Sequence, residues 1–213
     1  MKINLKKEVF IWIVLAIPII YLIAMWGQIP DRLPSHINIH GQVDQYGPKY
    51  LMSLITIGIY ILMLIIPIID PRKENYKTFE TTYFKLRFIL ILMFGLINLL
   101  FIINSVYSNI NIGMITPIFV FMMIMVIGNY MGNIRHNYFI GIKVPWTLNN
   151  EENWNKTHRL AGKLWVIGGL AGIVSLLIFK KQDFIVPAIL ILIVVVPIVY
   201  SYLLHVKMNA GAK

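Results

Sequence analysis

The chain has no cysteine and little charge: only 13% of its 213 residues are Asp, Glu, Lys or Arg, about half the usual share of a soluble domain. Without cysteine there is no disulfide framework, no thiolate nucleophile and no cysteine-ligated metal or haem. With so little charge, a chain this apolar cannot cover itself with a water-soluble surface. Acidic residues are especially few, 9 against 19 basic ones, for a net charge of +10. Low-complexity sequence is missing too, and no internal repeat suggests the inverted halves of a transporter.

What is present is hydrophobic. Apolar residues make up 58% of the chain and mean hydropathy is +0.74. Six apolar runs, at 9–27, 51–69, 88–106, 114–132, 164–179 and 184–204, approach the ~20 residues that cross a bilayer as a helix. The fifth is short unless it takes in Gly162 and Lys163. The expected fold is all-α, a polytopic membrane protein with six transmembrane helices forming one bundle over 1–213. Pro18, Pro67, Pro117, Pro187 and Pro197 fall in or near the runs, where neighbouring helices can satisfy the freed carbonyls. All 28 charged residues lie outside the six runs.

The basic residues are therefore read as topology and not as a nucleic-acid surface. Of the 19, 15 fall on the side shared by the two termini and 4 on the other. The positive-inside rule then puts both termini in the cytoplasm. The first run follows Lys2, Lys6 and Lys7 but exceeds a signal-peptide core and has no A-x-A site, so it is expected to stay. This orientation makes 28–50 an extracytoplasmic loop and puts 70–87 and 132–163 in the cytoplasm.

Three polar insertions carry the rest of the information. In 28–50, His36, His40 and Asp44 have a four-residue spacing that would suit zinc on a helix. The surrounding prolines and Gly41 oppose a helix, and Ile37, Ile39 and Val43 suggest extended chain turning at Gly41, with Asp44 bonding nearby amides. In 70–87, Tyr76, Phe79, Tyr83 and Leu86 recur at helical spacing opposite Lys73, Glu74, Lys77 and Glu80. That pattern fits an amphipathic segment on the inner leaflet, with Lys85 and Arg87 near lipid phosphates, or a docking face for a soluble partner. Asp70-Pro71 ends the second run, because proline disfavours helix at the residue before it.

The third insertion, 132–163, is too apolar for a free loop at Tyr138, Phe139, Ile140, Ile142, Val144 and Trp146. Asn149-x-x-Glu152 reads as a helix start, with Glu151 and Glu152 at the positive end of the dipole. The helix would carry Trp154, His158, Ala161 and Trp165 on one stripe, pair Glu152 with Lys156 and continue into the fifth run. Its tryptophans and cations could anchor the loop among headgroups. Alternatively Arg135, Asn137, Gly141, Lys143, Pro145, Trp146, Thr147, Trp154 and His158 form a cytoplasmic recognition element.

Two stretches carry a resemblance. Leu33-Pro34-Ser35-His36-Ile37-Asn38, then Gly41, Asp44, Gly47 and Lys49, is similar to a segment near the start of many SdpI-family membrane proteins. His40 is particular to this sequence. Gly128 to Gly132, Asn137 to Lys143, Pro145 to Leu148, and Trp154, Thr157, His158 and Gly162 resemble that family's signature. Lys143 stands where arginine is usual, Val144 where threonine is, and His136 where proline is common. The resemblance implies a protein of the bacterial cytoplasmic (inner) membrane that protects its host from a secreted peptide toxin. It implies a toxin-side surface at His36, Asn38, Gly41, Asp44 and Lys49. It also implies that a toxin-occupied protein holds a helix-turn-helix repressor at the membrane as a signal.

Other functions have less support. An H-E-x-x-H motif is absent, Glu151 and Glu152 are wrongly spaced from Arg159 for a membrane protease, and Ser53, Ser175 and Ser201 lack a buried base, so no enzyme, cofactor or metal is expected. A small-solute or peptide transporter or channel would have to work without an ionisable group at depth. Asn98 and Asn129 are most simply interhelical hydrogen-bond partners.

Overall fold

A computed structural model describes residues 5–38, 40–108, 110–179 and 184–210. Lys2, Ile39, Lys180, Lys181 and Lys213, which entered the expectations above, lie outside them. Among the described residues, six helices are long and apolar enough to cross a membrane: α1 (Leu5–Ala24), α2 (Leu51–Ile69), α4 (Glu80–Tyr107), α5 (Ile112–Met131), α7 (Glu151–Ile178) and α8 (Ile185–Ala210). Two short helices, α3 (Asn75–Thr78) and α6 (Pro145–Asn149), lie in the connections. The segment between α1 and α2 adds a two-stranded antiparallel hairpin, β1 (Arg32–Ile37) with β2 (Val43–Pro48).

The packing forms a series. α1 and α2 lie on α4, α4 on α5, α5 on α7 and α7 on α8. The α5–α7 interface is the most extensive, and glycine makes it close. A Cβ on Gly162 would come 2.8 Å from the Gly128 carbonyl oxygen, and one on Gly128 would come 2.9 Å from the Val166 amide nitrogen. Small residues at such a crossing gain backbone contact that lipid cannot supply.

α1 and α4 are among the helices that reach further than their apolar runs, and this changes where charge sits. α1 begins at Leu5 and α4 at Glu80, so Glu8 and Arg87 are helical. Their side chains are 2% and 1% exposed and form an ion pair. Tyr60 of α2 donates to the other Glu8 oxygen at 3.0 Å, and Trp12 donates to Tyr60 at 2.8 Å. The expectation that all charge stays out of the spanning helices is thereby corrected. A carboxylate is tolerated there because a guanidinium and a phenol satisfy it. Glu8 thus ties α1 to both α4 and α2, and the buried Arg87 does not face lipid phosphates.

The two-faced pattern of 70–87 holds, with Lys73, Glu74, Lys77 and Glu80 exposed, but the leaflet and docking readings of its apolar face are corrected. Tyr76, Phe79, Tyr83 and Leu86 are all buried, in one core with Met63, Ile66, Met131, Ile134, Trp154 and Ala161. The apolar face is covered by the protein's own helices and leaves nothing for the leaflet or for a docking partner. Within the bundle, Asn98 donates to Ser53 across α4 and α2 at 2.9 Å, whereas Asn129 is exposed.

Candidate functional site

The two ends of the bundle are built differently. At the hairpin end, Asn38 closes the turn: its side-chain oxygen accepts from the His40 and Gln42 amides at 2.9 and 3.0 Å. Gly41 has φ +74, and its turn packs against Gly113 at the start of α5, where a Cβ would meet the Gly41 carbonyl oxygen. Among the described residues Asp44 accepts from no backbone amide. It pairs across the strands with His36 Nδ1 at 2.6 Å, and their side chains are 56% (His36) and 40% (Asp44) exposed. Lys49 is a clamp, not a surface cation. Its Nζ donates to the Trp26 carbonyl at 3.0 Å, lies 3.2 Å from Asp31 and sits 4.1 Å from the Trp26 ring centroid. It ties the base of the hairpin to the end of α1. Beneath lie Leu22, Ile29, Leu33 and Ile102, all buried.

At the opposite end, 70–79 and 133–150 fold into one polar assembly. Asp70, 2% exposed, caps α2 in the extended conformation expected before Pro71. One carboxylate oxygen accepts from the Arg72 amide at 2.7 Å, the other from the Tyr76 hydroxyl at 2.9 Å and the Tyr138 amide at 3.0 Å. Burial, reinforced by that carboxylate, holds the Tyr76 phenol above its ordinary pKa, so it remains a donor. Asn137 is fully buried. Its oxygen accepts from the Phe139 and Ile140 amides at 2.9 and 2.7 Å, and its nitrogen donates to the Arg135 and Ile140 carbonyls at 2.8 and 3.0 Å. Asn75 donates to the His136 carbonyl at 2.7 Å.

His158 and Gly141 interlock. The Ile142 amide donates to His158 Nε2 at 3.0 Å, so the hydrogen is on Nδ1, which donates to the Trp154 carbonyl at 2.8 Å. Gly141 has φ +118, and a Cβ there would stand 2.3 Å from His158 Nε2. The His158 ring stacks on Trp154 with centroids 3.9 Å apart, and Trp154 Nε1 donates to the Ile134 carbonyl at 2.9 Å. Thr147 accepts from the Val144 amide at 3.1 Å and donates to the Ile142 carbonyl at 2.7 Å. α6 opens on Pro145, and its Trp146 donates to Ser201 of α8 at 2.6 Å. α7 starts one residue later than expected. Asn150, not Asn149, accepts from the first-turn amide of Asn153 at 2.8 Å, because Asn149 closes α6. The helix does run unbroken to Ile178, and Glu152 pairs with Lys156 at 2.6 Å.

The expected recognition residues thus separate. Asn137, Thr147, Trp154 and His158 are buried, with their polar atoms engaged in holding the loop. Gly141 supplies backbone geometry, and Trp146 is half-buried against α8. Arg135, Lys143 and Pro145 are exposed. Sequence reasoning missed Asp70, Arg72, Asn75 and Tyr76 as parts of the same assembly. The only signal was that an acid before proline at the end of an apolar run needs partners.

Known proteins match both ends. The family model described as SdpI/YfhL protein family matches residues 133–201, which hold the second half of the polar assembly, α6, α7 and much of α8. Domain of unknown function (DUF1648) matches residues 13–64, which include the hairpin. Immunity protein SdpI of Bacillus subtilis (strain 168) is 23% identical over 213 aligned residues, covering 97% of this chain and 100% of that protein. No solved structure matches the chain.

Proposed function

We propose that this chain, which belongs to the SdpI family, is an immunity protein that protects a bacterium from a secreted peptide toxin while embedded in its cytoplasmic membrane. The observation carrying this reading is end-to-end similarity to a protein named for immunity, spanning both ends of the bundle. In the orientation set by the basic residues, the hairpin faces outward and the polar assembly faces the cytoplasm. The hairpin presents His36 and Asp44 to an arriving peptide, while Asn38, Gly41 and Lys49 hold the hairpin in shape. On the cytoplasmic side the exposed trio Arg135, Lys143 and Pro145 is where a repressor would be held as a signal.

The test is survival of a toxin-sensitive host making this protein, challenged with a peptide toxin produced by the source bacterium. Protection at matched membrane abundance is expected. No protection against any such peptide, with the protein folded in the membrane, would remove the immunity reading. His36→Ala with Asp44→Ala should reduce protection without lowering abundance, and Lys143→Ala should leave protection intact while abolishing repressor capture. Reporter fusions at Tyr46 and Asn150 should report opposite sides.

A further inference from the structure

At the junction of the two polar segments, two donors converge on one backbone oxygen. Arg72 Nη2 donates to the Leu148 carbonyl at 2.8 Å, and His136 Nε2 lies 3.0 Å from the same atom. A carbonyl cannot donate, so the hydrogen is on His136 Nε2. The Arg72 guanidinium also lies over the Tyr138 ring, 4.4 Å from its centroid, and its Nη1 is buried without a hydrogen-bond partner. One neutral oxygen therefore occupies a place where an arginine fork and an imidazole point together, and part of the fork has no acceptor. Leu148 belongs to α6, a helix of only five residues.

We infer that Arg72 and His136 form an oxyanion site, closed in this structure by the Leu148 carbonyl, whose ligand is a phosphate-type group that displaces that carbonyl. A guanidinium and an imidazole suit such a group better than a peptide carbonyl, because an anion accepts several charge-assisted hydrogen bonds at once. Asp70 accepts from the Arg72 amide, Tyr76 and Tyr138 and, among the described residues, forms no ion pair with the Arg72 guanidinium, which leaves that group to an anion. The shared chemistry fits either a free oxyanion or the phosphate of an anionic lipid, because Arg72 follows the end of α2 by three residues. The site does not depend on the immunity reading.

Binding should depend on pH. The charged and titratable groups that act on His136 are Arg72, Glu151 and His158. Burial, then Arg72, holds the His136 pKa below its ordinary value, so the ring is neutral near neutral pH. An anion at Nε2 favours the imidazolium, so binding takes up a proton and tightens as pH falls.

The test uses the full chain in an uncharged detergent, with sulfate as the probe because its charge is constant between about pH 5.5 and pH 8, on either side of the ordinary histidine value. Sulfate should raise the unfolding temperature beyond a chloride control of equal ionic strength, with affinity about tenfold higher at the lower pH. Arg72→Gln should abolish the effect and Arg72→Lys weaken it. His136→Gln keeps a donor to Leu148 and should bind sulfate without pH dependence. In parallel, native mass spectrometry of protein from mixed phosphatidylglycerol and phosphatidylcholine nanodiscs reads lipid retention. Arg72-dependent retention of phosphatidylglycerol identifies a headgroup as the ligand, and sulfate binding without it identifies a free anion. No sulfate effect and no lipid preference, or equal effects in wild type and a folded Arg72→Gln protein, would overturn the site.

Discussion

The hairpin end and the signature end both concentrate polar residues, yet they use them in opposite ways. At the hairpin the main side-chain pair, His36 with Asp44, stands largely in water, where an ion pair contributes under about 1 kcal/mol. At the signature end Asp70, Asn137, Thr147 and His158 are sealed from water, each with several partners. Buried polar groups that satisfy one another fix a single conformation, because losing one strands the rest. The signature is therefore largely a folding device, and of the expected recognition residues only Arg135, Lys143 and Pro145 are exposed.

The largest test of this contrast is Asp70→Ala, which strands the Arg72 and Tyr138 amides and leaves the Tyr76 hydroxyl only the Asn137 oxygen at 3.3 Å. At about 1.5 to 3 kcal/mol for each lost hydrogen bond to a charged group, it should cost at least ~3 kcal/mol in detergent-induced unfolding and lower membrane abundance. Gly141→Ala comes next. It places a methyl against His158 in a backbone region that side chains avoid, and should cost about 2 to 3 kcal/mol in the same measurement. Thr147→Val, which removes the hydroxyl at nearly constant volume, should cost about 1 to 2 kcal/mol. The hairpin counterpart, Asp44→Asn, should change stability by under about 1 kcal/mol while altering toxin protection. An Asp44→Asn variant as unstable as Asp70→Ala would erase the contrast. Smallest of all, Lys143→Ala should leave the unfolding midpoint unchanged, because an exposed lysine contributes little to stability.

The parts legible in the sequence are those with a local cause. The six helices follow from apolar runs, the hairpin from Gly41 between β-branched residues, and the start of α7 from an asparagine before two glutamates, displaced by one residue because two asparagines stand in a row. What escaped has its cause far along the chain. Tyr138 reaches Asp70 across 68 positions and Arg87 reaches Glu8 across 79, and neither partner is marked by spacing. The periodicity of Tyr76, Phe79, Tyr83 and Leu86 was visible, but the surface covering that face was not. Trp154 and His158 stood out as residue types, and only their neighbours show that they face inward.

Asn153 and Trp146 both end on Ser201, through its carbonyl and its hydroxyl, and Trp165 ends on the Ile193 carbonyl. All three acceptors belong to α8, which leaves the ribosome after the segment it holds. The signature segment thus cannot complete its bonds until α8 has been made, although its own residues emerged about fifty positions earlier. Assembly at that end is timed by translation. A product interrupted before α8 exposes three donors with no acceptors, a defect that a membrane protease can find before the fragment is mistaken for a finished protein.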